Sequence, residues 1–221
     1  MYSIEFLAIM EQALGYAMAA LVGFSLSAAC GMRIFAPLAL LSVAVHFGWV
    51  NAGESFSWVG STPAVCCFAV ACVVEMLGMM IPWLDHILDI AGAPVAAVAG
   101  TVVMATQLAA GAGVDTSVVP PWVTWSLAAV VGGGVATGVH IAAGTIRAGS
   151  TGVSGGLLNP IFALVETVSS VVLSALALLL PVVAAILGLL LVIAIIVFSL
   201  AILKWIARRG AARAKTVQAT S

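Results

Sequence analysis

Three ionisable side chains stand where an apolar chain should carry none: Glu75, His140 and Glu166 each lie inside a long hydrophobic run. At the centre of a membrane helix such a group costs roughly 2.5–3.5 kcal/mol on insertion scales, so it usually faces a cavity or a partner. Carboxylates placed there can bind a cation or a proton, and an imidazole can titrate or coordinate. Two further groups, Arg33 and Arg147, follow shortly after Gly31 and Gly144. A guanidinium can balance the carboxylates or hold an anionic group. The plainer reading makes Glu75 and Glu166 structural partners of the two arginines and His140 a hydrogen-bonded packing residue.

A secondary set lies in the polar connections. Asp85, His86 and Asp89 fall in Pro82–Asp89, whose pattern predicts one or two turns of interfacial helix with Asp85 and Asp89 on one face. Such carboxylates and histidine could hold a divalent metal weakly, although the identity of any metal is open and no cofactor is called for. Ser150 and Thr151 belong to a Gly- and hydroxyl-rich stretch from 147 to 156 that leads into Asn159-Pro160. That stretch predicts a loop feeding a helix N-terminus, with Asn159 as N-cap and free N–H groups facing an anion. It lacks the spacing and the lysine of a phosphate loop.

Composition decides what must position these groups. The chain of 221 residues is 64% hydrophobic and only 7% charged, with mean hydropathy +1.28. A soluble domain needs roughly 25% charged residues to cover its surface. Disorder, nucleic-acid binding and a secreted disulfide scaffold are excluded together. The four cysteines, Cys30, Cys66, Cys67 and Cys72, sit in apolar runs without metal or redox spacing and read as packing residues. The predicted fold is all-α: a polytopic membrane helical bundle in the lipid bilayer.

Counting runs of about 20 apolar residues predicts spans at 12–31, 34–50, 61–81, 94–112, 122–146, 158–180 and 182–205. The second is short and begins beside Arg33 and Pro37, so the alternative is six spans plus a re-entrant hairpin. Seven spans place all seven Lys and Arg residues on one side, which the positive-inside rule makes cytoplasmic. Residues 1–11 then lie outside, 12–206 form one transmembrane domain, and 207–221 are expected to be a disordered basic tail. The expected location is a bacterial inner membrane. Gly31, Arg33 and Pro37 parallel Gly144, Arg147 and Pro160, a weak internal repeat of the kind common in transporters. Gly132 to Gly134 with Gly138 forms a small-residue seam; it suits close packing within the protomer or, through Gly134 and Gly138, a homo-oligomer.

Three stretches together resemble a known family. They are Gly31-Met32-Arg33-Ile34-Phe35-Ala36-Pro37-Leu38; Ile81-Pro82-Trp83-Leu84-Asp85 with Asp89 and Pro94; and Ser150-Thr151 through Gly155-Gly156-Leu157-Leu158-Asn159-Pro160 with Val165-Glu166. Over roughly residues 15–185 the chain is similar to bacterial membrane proteins known as domain of unknown function 4126. The resemblance implies a membrane bundle and transfers no activity or catalytic residue, because the family's name assigns none. By the residues, the leading expectation is a small transporter or channel-like permease with a cytoplasm-facing polar site for an ion, a proton or a small anionic solute. Glu75, His140, Glu166, Arg33 and Arg147 would line it. A membrane-embedded or lipid-handling enzyme, and an accessory subunit without chemistry, are the alternatives; the reading leans away from an enzyme.

Overall fold

A computed structural model describes the backbone of residues 2–78, 82–111, 120–155 and 157–220. It describes their side chains except those of 2–5, 8, 82–90, 152–154, 159, 206 and 209–220. The chain forms α1 (Tyr2–Met32), α2 (Phe35–His46), a 3-10 turn (Glu54–Gly60), α3 (Thr62–Gly78), α4 (Pro82–Gly111) and α5 (Pro121–Leu127). A π-helical segment (Ala128–Gly133), α6 (Gly134–Ser154), α7 (Asn159–Leu179) and α8 (Pro181–Thr220) follow. No strand occurs among the described residues. The protein is an all-α, polytopic membrane bundle.

Five described stretches are long and apolar enough to cross a bilayer: Ile9–Met32, Ala91–Gly111, Pro121–Thr151, Pro160–Leu179 and Pro181–Trp205. A sixth is the 3-10 turn with α3, two pieces bent by 56°. The expected second span shrinks to α2, whose 12 residues measure about 18 Å at 1.5 Å per residue, short of a roughly 30 Å hydrocarbon core. Pro37 explains where α2 begins. Its ring has no N–H to give to the Arg33 carbonyl and clashes with it in a continuous helix. The rod therefore stops at Met32 and restarts at Phe35. At the other end, Gly48 (φ +70°) and Gly53 (φ +69°) supply left-handed backbone that other residues adopt at a cost. They turn the chain back towards α3.

Small residues bring α1, α4 and α6 together. Ser27 donates to the Gly100 carbonyl of α4 at 3.1 Å. A Cβ on Gly31 would lie 2.5 Å from Val139 Cβ and 2.6 Å from the Ala136 carbonyl oxygen, and one on Gly100 would lie 2.4 Å from the Gly132 carbonyl oxygen. Only hydrogen fits there. The glycine run splits at the π segment: Gly132 and Gly133 are buried, whereas Gly134 and Gly138 are exposed and have nothing within 4 Å of an added Cβ. Gly132 thus belongs to packing inside the protomer, and the Gly134–Gly138 track faces outward.

Two connections differ from their expected form. Pro82–Asp89 is the continuous first part of α4, not a separate turn of helix. The Gly- and hydroxyl-rich stretch is helix as far as Ser154, because Thr151 satisfies its hydroxyl on the Arg147 carbonyl (3.0 Å) instead of interrupting the backbone. It ends at Gly155, whose φ of +63° lets its N–H close on the Thr151 carbonyl. The N–H groups of that stretch are used within α6, which removes the expected loop cradle for an anion. Leu158, not Asn159, holds the N-cap position of α7, with Asn159 and Pro160 inside its first turn. The helix α8 continues to Thr220 through the basic segment.

The alternating run of helices gathers two distinct ends. Arg33, Arg147, the N-termini of α2 and α7 and the C-termini of α3 and α6 share one end, which we term the arginine end. Trp49, Trp58, Trp122 and Trp125 are exposed at the opposite end, where Phe56 packs on Trp125 and Gly53 lies against the Ala109 carbonyl. Tryptophans collected in that way are interfacial anchors.

Candidate functional site

The break after α1 builds the site. Arg33, in the gap between α1 and α2, is 1% exposed. Its Nη2 donates to the Ala163 carbonyl of α7 at 2.6 Å and lies 3.5 Å from Glu166 Oε2. Arg147 of α6 donates from Nη1 to the same Glu166 oxygen at 3.1 Å. One carboxylate oxygen is thus shared by two guanidinium groups from different helices. Ala163 and Glu166 lie three residues apart on α7, so a single helical face offers Arg33 both a carbonyl and a carboxylate. The trio carries one net positive charge in an environment of low dielectric, where ionic contacts are strong and exposed charge is costly.

Glu75 takes a different partner from the one its charge suggests. Its Oε1 accepts from the Ile34 N–H at 2.9 Å and its Oε2 from the Phe35 N–H at 3.0 Å. A carboxylate on α3 therefore caps the N-terminus of α2, satisfying donors that a helix leaves open and meeting the positive end of its dipole. This cap joins the end of α3 to the residues that follow Arg33. A groove of about 620 Å³, lined by Phe35, Cys66, Cys67, Val70, Ala71, Val74 and Glu75, runs along the outer side of that contact. Cys66 and Cys67 are exposed on α3 and only Cys30 of the four is fully buried, so the packing role expected of the cysteines fits Cys30 alone.

His140 is 8% exposed and sets its ring against the backbone of Gly92 in α4, where a Cβ would lie 2.4 Å from Nε2. Its neighbour Val139 packs on Gly31, which places the imidazole at the level of the α1–α2 break. Arg33, Arg147 and Glu166 come together in direct contact. Glu75 joins them through the backbone of Ile34 and Phe35, and His140 stands at the same level on α6. Ser150 and Thr151 lie on α6 one turn beyond Arg147. The side chains of Asp85, His86, Asp89 and Asn159 lie outside the described residues. Among the described residues no three His, Cys, Asp or Glu side chains gather where a metal ion could sit.

Several partners were invisible to a count of charged side chains. The Ala163 carbonyl and the N–H groups of Ile34 and Phe35 are backbone, and Ser170, which donates to the Ala29 carbonyl at 3.0 Å, ties α7 to α1 just before the break. Gln107, buried in α4, is legible in retrospect as the one carboxamide in the run 94–112.

Neither a curated protein nor a solved structure matches the chain. A family does: residues 20–200 match the family described as domain of unknown function 4126, an interval that covers both arginines, both carboxylates and all of α2 to α7. The chain is an integral membrane protein and belongs to the domain of unknown function 4126 family.

Proposed function

We propose that this protein is a small proton-coupled anion permease whose site is the Arg33–Glu166–Arg147 trio at the α1–α2 break. The observation that carries the proposal is one Glu166 oxygen held by two buried guanidinium groups beside a helix interruption. Discontinuous helices inside a bilayer are where transporters place their ions and substrates. Glu166 acts as a tethered occupant. A proton neutralises it, it leaves the arginines, and a small monovalent anion takes its place. The trio has the same net charge before and after, so the exchange adds no charge to the low-dielectric site. Guanidinium forks suit a planar oxyanion best. Glu75, by fixing α3 to the start of α2, holds the break open to that exchange, and His140 stands on α6 at the same level.

The arginine end faces the cytoplasm of an inner membrane in this proposal, as the positive-inside rule requires. Self-association through the outward Gly134–Gly138 track belongs to the same reading. The closed partners of Glu75 favour a second reading, an accessory subunit whose polar contacts only fasten helices.

Flux separates the two. Purified protein in buffered liposomes, driven by an inward proton gradient, is expected to take up nitrate, formate or chloride, followed by light scattering. Arg147→Gln should lower that uptake at least tenfold, since it removes one of the two forks while the Arg33–Glu166 contact remains. Liposomes that swell no faster with protein than without it would leave the accessory reading standing.

A further inference from the structure

The structure assigns a second hydrogen-bonding station for the same anion to Gln107 and Tyr16, in the half of the bundle away from the arginines; this rests on the permease reading above. Gln107 of α4 is 4% exposed, and its Nε2 has no hydrogen-bond partner among the described residues. The phenolic oxygen of Tyr16 on α1 is likewise buried and without a partner there. Buried donors left unmet are rare in folded proteins and ask for an explanation.

The two residues share one seam. An added Cβ on Gly23 would lie 3.5 Å from Gln107 Cβ, and one on Gly15 would lie 3.5 Å from the Gly111 carbonyl oxygen. Tyr16 is seven residues before Gly23 and so occupies nearly the same face of α1, two turns nearer its start. Gly111 is one turn after Gln107 on α4. Tyr16 and Gln107 therefore lie about one to two helical turns apart along the α1–α4 contact, where Gly15, Ala19 and Gly23 let the backbones approach. Arg33 is ten residues beyond Gly23, about 15 Å further along the axis.

The chemistry at this station is specific. A carboxamide N–H and a phenolic O–H are neutral donors, and unmet donors select a ligand rich in acceptors. The unmet atom of Gln107 is its donor nitrogen, which meets an anion rather than a cation. A small anion leaving the arginines finds hydrogen bonds without a fixed positive charge that would hold it, the weak intermediate binding that conduction needs. Nitrate, formate and chloride fall in this class.

Gln107→Leu, Gln107→Met and Tyr16→Phe test the station with nitrate as the probe, each measured for uptake into liposomes and for thermal stability in detergent. Expected is a loss of nitrate uptake of tenfold or more in Gln107→Leu and Gln107→Met, and of several-fold in Tyr16→Phe. Melting temperatures should be unchanged or raised, because an apolar side chain of similar size removes an unmet buried amide. Uptake equal to wild type in the Gln107 variants with a raised melting temperature would make the amide a packing defect and overturn the inference. If the Gln107 variants lose stability as well, Tyr16→Phe decides: reduced uptake at full stability supports the station and full uptake removes it. Wild-type protein that carries no nitrate removes both this station and the permease, whereas wild-type uptake that survives Gln107→Leu removes the station alone.

Discussion

Arg33→Leu is expected to be the most destabilising single substitution in the chain, lowering the unfolding free energy by about 3 kcal/mol or more. The guanidinium it removes is fully buried and holds two groups on α7, the Ala163 carbonyl and Glu166. Leucine would remove the guanidinium from both, leaving the Ala163 carbonyl to Thr167 and Glu166 without one of its two arginines. A chain of this size loses roughly 2–4 °C of melting temperature per kcal/mol, so a fall of about 10 °C is expected. Arg33→Lys should recover only part of it, because an ammonium is more strongly hydrated than a guanidinium and costs more to bury. Differential scanning fluorimetry in detergent measures all three proteins; a melting temperature within about 2 °C of wild type for Arg33→Leu, less than 1 kcal/mol on the same scale, would show that the ion-pair trio does not hold α7 to the break.

Glu75→Leu comes next, with an expected cost of about 2–4 kcal/mol from two buried N–H groups left without acceptors. The effect should be local in a revealing way. The helix α3 packs chiefly along α2, and the Glu75 cap fastens its end to the α2 N-terminus. Hydrogen–deuterium exchange should therefore rise in α3 and the first turn of α2 while α1, α4 and α6 stay protected. Glu75→Gln keeps one carbonyl oxygen as an acceptor and should restore about half of the lost protection. Exchange that rises evenly over the bundle would contradict a local cap.

The membrane class and the interruption near Arg33 were legible in the residues, because the first follows from composition and the second from Pro37. The length of α2 was not. The run 34–50 is apolar throughout, and hydropathy summed along a window cannot register that Gly48 turns the backbone out of the helix. Charge counting offered Glu75 an arginine. Its partners are two backbone N–H groups, which every residue but proline carries and no composition reveals. The glycine run 132–134 failed for a geometric reason. Residues two apart on a helix point about 200° away from each other, so Gly132 faces the core while Gly134 faces outward. The Gly- and Ser-rich stretch 147–156 misled in the other direction: small residues usually mark a loop, yet here they let α6 pack closely, with Gly149 against Ile202 of α8.

These points bear on the site itself. Glu166, Arg33 and Arg147 could be named from the sequence as costly groups, but their convergence on one oxygen needed the crossing of α1, α6 and α7. The sequence expectation of a polar site rested on ionisable groups inside separate hydrophobic runs; the contact between them rests on the Pro37 break.

The central claim is that Glu166 alternates with the anion by taking up a proton, and pH-dependent uptake in Glu166→Gln tests it most directly. Nitrate uptake by wild-type liposomes should rise as the external pH falls from about 8 to about 5, because each cycle requires a proton on Glu166. The carboxamide introduced by Glu166→Gln cannot take up that proton and leaves both arginines available at every pH, so uptake by this variant should be flat across the range. A variant that keeps the wild-type pH dependence would contradict the account, because the proton would then be carried elsewhere and the arginine trio would be only a fastening.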